Sequence, residues 1–152
     1  DGVQGPPWFS EFGEQQTRGF HALKVWMALK HHGLDGYRRM IDHDLSLADH
    51  LAARVKREAE MELLEPRGLS VVCFRVVPNA LRADDAALDA LNRAVVGEVQ
   101  LGGRAFITGT VVHGRYWLRA CIINHRAAEP DVDAMVDAVL ERMHAQRTQK
   151  PA

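Results

Sequence analysis

Arg119 is the residue whose type and setting most demand a chemical partner. It sits inside the apolar run 115–124, RYWLRACIIN, between Leu118 and Ala120. An arginine in such a strand needs an anion, because burying a guanidinium unpaired is expensive. Two readings follow. It forms a structural pair with a core carboxylate, or it clamps the carboxylate or phosphate of a ligand, which the planar fork of arginine suits. Arg18 is the second candidate: in the first turn of an expected helix its charge opposes the dipole unless an anion is near, and plain exposure is the default. Lys24 is of the type that forms Schiff bases, but on an amphipathic helix it reads as solvated. His43 and His50 stand seven residues apart among charges, without a third ligand nearby, and read as exposed helix histidines rather than a metal pair. The sequence contains no GxGxxG, GxxxxGK[ST], CxxC, HExxH or GxSxG, so spacing alone defines no site and no metal is expected.

The elements that must position these residues follow from periodicity. Thr17 can cap a first helix over about 17–32, where Phe20, Leu23 and Met27 form an apolar stripe with Trp26 beside it. Gly33 stands at the stop position, after Lys30, His31 and His32. A second, longer helix should run from about 34 to 61, with Tyr37, Ile41, Leu45, Ala48, Ala52, Val55 and Ala59 on its inner face. Residues 69–77, LSVVCFRVV, read as a strand buried on both sides, with Arg75 as its exception. Asp84 or Asp85 caps a helix carrying Leu88, Leu91, Val95 and Val99 inward. Residues 105–113 and 115–124 form a hairpin turning at Gly114. In its second strand Trp117, Arg119, Cys121 and Ile123 face one way, and Tyr116, Leu118, Ala120 and Ile122 the other. A last helix opens near Pro130 and frays from Gln146.

The order is two helices, strand, helix, hairpin, helix. It specifies an α+β fold, a small antiparallel sheet of about three strands covered by helices and preceded by two helices. Residues 1–16, rich in glycine and proline, should be extended or irregular; the apolar Trp8, Phe9 and Phe12 within them call for a packing partner, such as a surface outside this chain. Residues 17–152 then form the folded part. At 152 residues, 47% hydrophobic and 26% charged, the chain suits one globular domain. A formal charge of −1 gives no electrostatic ground for a nucleic acid or anionic membrane partner. No apolar run approaches the roughly 20 residues that span a bilayer. Cys73 and Cys121, each inside a strand-like apolar run, read as buried free thiols in a reducing cytoplasm.

Three linked stretches carry a resemblance: FGEQQTRGFHALKVWMALKHHGLDGYRRMI, LSVVCFRVVP and GRYWLRACIINHRAAEPDVDAMVDAVL. In this order they resemble group II pyridoxal-phosphate-dependent amino-acid decarboxylases, the aromatic-L-amino-acid, tyrosine and glutamate decarboxylase family, from about Phe9 to Leu140. The resemblance implies fold type I, with this chain as the C-terminal small domain and its leading helices. It implies a homodimeric parent enzyme that binds pyridoxal phosphate and decarboxylates an L-amino acid, with an aromatic substrate favoured. The Schiff-base lysine would lie upstream, in a large domain that packs on this one, so the chain alone should bind no cofactor and be inactive. Arg119 matches the late-strand arginine that holds a substrate carboxylate in glutamate decarboxylase relatives. Arg18 matches an arginine near the active-site mouth and the dimer interface. A non-catalytic ligand-binding or interaction domain, using Arg119 or the Trp8–Phe12 segment, is the alternative.

Overall fold

The computed structural model describes residues 19–149; the segment 1–16, Thr17 and Arg18 lie outside the described residues. The chain divides between Arg39 and Met40 into two units. Helix α1 (His21–Arg57) contributes to both and is interrupted at Gly33, where φ is 68° and ψ 167°. The expected pair of helices is therefore present, meeting at this glycine. Within the first unit the apolar stripe is uncovered: Phe20 is 73%, Trp26 58% and Met27 57% exposed.

The second unit contains the sheet. After α1 come β1 (Met61–Leu63), β2 (Val71–Val76), a short turn of 3₁₀ helix (Asn79–Leu81), α2 (Asp85–Gly102), β3 (Thr108–Val112), β4 (Arg115–Cys121) and α3 (Glu129–Gln149). The sheet has four strands in the order β1-β2-β4-β3, every neighbour antiparallel. The sequence pattern suggested about three. The extra strand is β1, whose three residues are too short for an alternation to show and which follows α1 after a tight turn, Met61 N–H bonding Glu58 O at 3.2 Å. Met61 is therefore an edge-strand residue, not the last residue of a helix.

One face of the sheet makes the core. Val72, Phe74, Val76, Leu118, Ala120 and Ile122 alternate inward by the period of two. They meet Val95, Val96 and Val99 of α2, Val132, Val136, Val139 and Met143 of α3, and Leu47, Ala48, Leu51 and Val55 of α1. The inner stripe of α1 thus runs through Leu47 and Leu51, whereas Ile41 is 55% exposed and Ala59 lies beyond the helix. The hairpin turns on His113 and Gly114, both left-handed, as a two-residue connection with the twist of the strands requires. At Gly109 a Cβ would fall 1.7 Å from the Tyr116 hydroxyl, so only glycine lets that ring lie across β3. Asp84 caps α2 by accepting from Ala87 N–H at 2.9 Å, and Gly103 ends it in the left-handed conformation. Helix α3 continues past Gln146 to Gln149.

Candidate functional site

The other face of the sheet carries the alternate residues of the same strands. Arg119 stands in β4, opposite Cys73 of β2 on one side and Thr108 of β3 on the other. Cys121 follows two residues on, opposite Val71. Arg119 and Cys121 are exposed and Cys73 is half-buried, so neither cysteine is the buried thiol its apolar run suggested: both stand on the sheet face away from the helical core. The same exposure corrects one of the two readings of Arg119. It is not in the core and, among the described residues, meets no core carboxylate: it faces away from the buried Leu118 and Ala120. Among the described residues its guanidinium forms no ion pair. Its backbone oxygen accepts from the Thr108 hydroxyl at 3.3 Å. Its charge acts on the Cys73 thiol, which burial holds above the ordinary thiol range while Arg119 pulls the other way.

The buried arginine on this face is Arg75, only 3% exposed. Its guanidinium donates to Glu62 at 2.8 and 2.9 Å, lies 3.7 Å from Asp85, and stacks over Trp117 with 4.9 Å to the ring centroid. The cause is local. The pairing of β2 with β4 ends at Phe74 and Leu118. Beyond it, α2 supplies the partners that a ladder would have given. Asn92, fully buried, accepts from Val76 N–H at 2.8 Å and donates to Val76 O at 2.9 Å, and Asp89 accepts from Tyr116 N–H at 2.8 Å. Helix α2 is wedged against the two strands at this end, which places Asp85 beside Arg75, whose guanidinium lies over Trp117. Asn92 was legible as a polar residue on the Leu88–Val95–Val99 stripe, a position where a side chain must find a backbone partner; Glu62 and Asp89 carried no such signal.

The remaining sequence candidates fall elsewhere. Arg18 is outside the described residues. Lys24 is exposed on α1. The ring of His43 bonds Ala127 O at 2.8 Å, and that of His50 lies 2.9 Å from Asp133, so both join α1 to α3 or to the loop before it. Among the described residues no group of His, Cys, Asp or Glu is arranged to hold a metal ion, and no helix is long and apolar enough to cross a membrane.

Residues 8–77 match the model of the pyridoxal-dependent decarboxylase conserved domain. The chain is 32% identical over 130 residues to an aromatic-L-amino-acid decarboxylase of Bacillus atrophaeus, covering 86% of this chain and 27% of that one. It is 31% identical to tyrosine decarboxylase 4 of Petroselinum crispum, covering 80% and 26%. The crystal structure of Oryza sativa TDC with PLP and tryptamine superposes on 85% of this chain and 28% of that one with a TM-score of 0.79 at 26% identity. The architecture is that of one α+β part of these enzymes. The chain belongs to the pyridoxal-dependent decarboxylase family, and it spans about a quarter of the length of the relatives it matches.

The family's cofactor needs a lysine for its aldehyde and cations for its phosphate. The described residues do not provide them together. Lys24 and Lys30 are exposed on α1, and Lys56 pairs with Glu65. The larger hollow, about 440 Å³, is lined by Pro78, Leu81, Ala87, Leu91, Ala94 and Gln146 among others, with no cation. A second, of about 280 Å³, has Arg104 as its cation and no lysine. A pyridoxal phosphate site is not built from these residues alone.

Proposed function

We propose that the parent protein is a pyridoxal-phosphate-dependent carboxy-lyase that removes the α-carboxylate of an L-amino acid as carbon dioxide, with an aromatic substrate favoured. The reading is carried by the agreement of sequence family and fold over more than four-fifths of the chain. Residues 17–152 act as the small C-terminal domain with its leading helices, inactive alone, in a cytoplasmic homodimer whose upstream large domain supplies the lysine and most of the cofactor's contacts. Bound there, the cofactor supplies the electron sink for decarboxylation. This chain's share is the sheet face around Arg119. An exposed guanidinium, held by strands on both sides and free of protein anions, suits the carboxylate of a substrate, binding and orienting it by paired charged hydrogen bonds. Arg18, before the apolar helix, is the weaker second contact.

The same free guanidinium, with no cofactor site beside it, favours a second reading: a non-catalytic domain that binds an anionic ligand.

The test uses the full-length protein. Its visible absorbance reports bound pyridoxal phosphate. Carbon dioxide release is followed over tyrosine, tryptophan, dopa, histidine, aspartate and glutamate. A cofactor band with release from the aromatic members is the expected result. Release confined to aspartate or glutamate overturns the substrate class. Neither band nor release overturns the enzyme and leaves the binding domain.

A further inference from the structure

The break in α1 lies at a glycine. At φ 68° and ψ 167°, Gly33 occupies a region of backbone space essentially closed to other residues. Sharp breaks in helices are traced to proline, to Gly/Ser pairs, to π-bulges, or to a side chain or water inserted into the ladder. Helix α1 contains no proline. A Cβ added at Gly33 would meet nothing within 4 Å, and His31, His32, Leu34 and Asp35 around it are all exposed. Nothing among the described residues presses the chain out of line at this point. The flanking sequence favours helix on the near side, with Ala22, Leu23, Lys24, Met27, Ala28 and Leu29.

A second feature shapes the same joint. Across the break the His32 ring meets Tyr37 edge-on, with 5.9 Å between centroids, and a Cβ on Gly36 would lie 3.2 Å from the His32 Cβ. Gly36 is what lets the chain close this tightly on His32. Two glycines three residues apart thus do separate work: Gly33 sets the dihedral angles, and Gly36 leaves room for the turn they produce.

We propose that Gly33 is a positioning joint: its backbone, not packing, directs the arm His21–His32, and this direction presents the exposed Phe20, Val25, Trp26 and Met27 to the rest of the parent protein. The first half stands on the dihedral angles and open surroundings. The second half rests on the functional reading above, in which the remainder of the parent covers that arm.

The experiment compares the full-length wild type with Gly33→Ala, carrying nitroxides on unnatural amino acids at positions 24 and 39. A continuous helix places these positions about 22 Å apart at ~1.5 Å per residue. The wild type should give a shorter distance, and Gly33→Ala should move it to about 22 Å with carbon dioxide release falling at least tenfold. Gly97→Ala is the control: within α2, with open space around its Cβ, it should change neither. A wild-type distance already near 22 Å overturns the joint even if the variant fails to fold. So does a Gly33→Ala distance equal to the wild-type one. A lengthened distance with undiminished release keeps the joint and overturns its role in presenting the arm. If the wild type releases no carbon dioxide from any substrate, the functional reading fails, and the distances still decide the joint.

Discussion

Arg75 and Arg119 lie on the same face of one sheet, in neighbouring strands, and do opposite things. At the Arg75 end, α2 intrudes where the ladder between β2 and β4 stops, and its Asp85 joins Glu62 and Trp117 around the guanidinium. That charge is paired inside the fold through Nε and Nη2 to Glu62, while its buried Nη1 has no hydrogen-bond partner among the described residues. At the Arg119 end the ladder is intact, and the cross-strand neighbours are Cys73 and Thr108, which offer no anion. The lesson concerns availability. A strand arginine is structural where another element brings carboxylates to it, and available where regular pairing keeps such elements away. Residue type and strand position are the same in the two cases; the presence of α2 separates them.

The sharpest way to break this comparison is to remove each charge in the full-length protein. Arg119→Ala should lower kcat/KM about 100-fold, roughly 3 kcal/mol of charge-assisted hydrogen bonding, and leave the urea midpoint unchanged. Intact turnover with reduced stability would put Arg119 in the structural class. Arg75→Met should do the reverse. Removing one partner of a buried ion pair costs about 3–5 kcal/mol. Here the carboxylates left behind are 45% and 56% exposed and can rehydrate, so a loss of about 2 kcal/mol is expected. Its turnover should stay within about twofold at 25 °C, since a side chain only 3% exposed and paired with Glu62 is closed to substrate. A variant that unfolds no more easily than the wild type would show that Trp117 and the α2 wedge hold this end without the ion pair.

The sequence disclosed this difference only in part. Alternation along 115–124 placed Trp117, Arg119, Cys121 and Ile123 opposite Tyr116, Leu118, Ala120 and Ile122. Arg119, Cys121 and Ile123 are exposed and Leu118, Ala120 and Ile122 buried, while Trp117, only 4% exposed beneath Arg75, is the exception. The helices α2 and α3 and the hairpin were legible because caps, left-handed glycines and apolar stripes act locally. What was hidden depends on distant pairing. Arg119 looked buried because both neighbours along the chain are apolar, yet in a strand those neighbours face away from it. Arg75 was visible as an anomaly in its strand, but Glu62 and Asp85, which explain it, arrive from β1 and α2. Strand β1 has three residues, too few for periodicity to register. The inner stripe of α1 was legible at Ala48, Ala52 and Val55, which are buried, and missed Leu47 and Leu51 beside them, while Ile41, equally apolar, is 55% exposed.

The finest test of the available end is chemical and uses the thiols as reporters. The thiolate is the reactive form toward iodoacetamide. In the 152-residue chain, the exposed Cys121 should be alkylated first and the half-buried Cys73 more slowly, because burial holds its thiol protonated to higher pH. Arg119 opposes that shift by favouring the negative form. Arg119→Met keeps the bulk over Cys73 and deletes the charge, so the Cys73 thiol should ionise at still higher pH. Its labelling at fixed pH, read by mass spectrometry, should slow relative to the wild type. Truncation to alanine would not serve, since opening the face speeds labelling by access alone. A faster or unchanged rate in Arg119→Met would mean that the guanidinium points away from β2. The anion-binding position would then lie on the Thr108 side of β4, and the substrate carboxylate would be sought there.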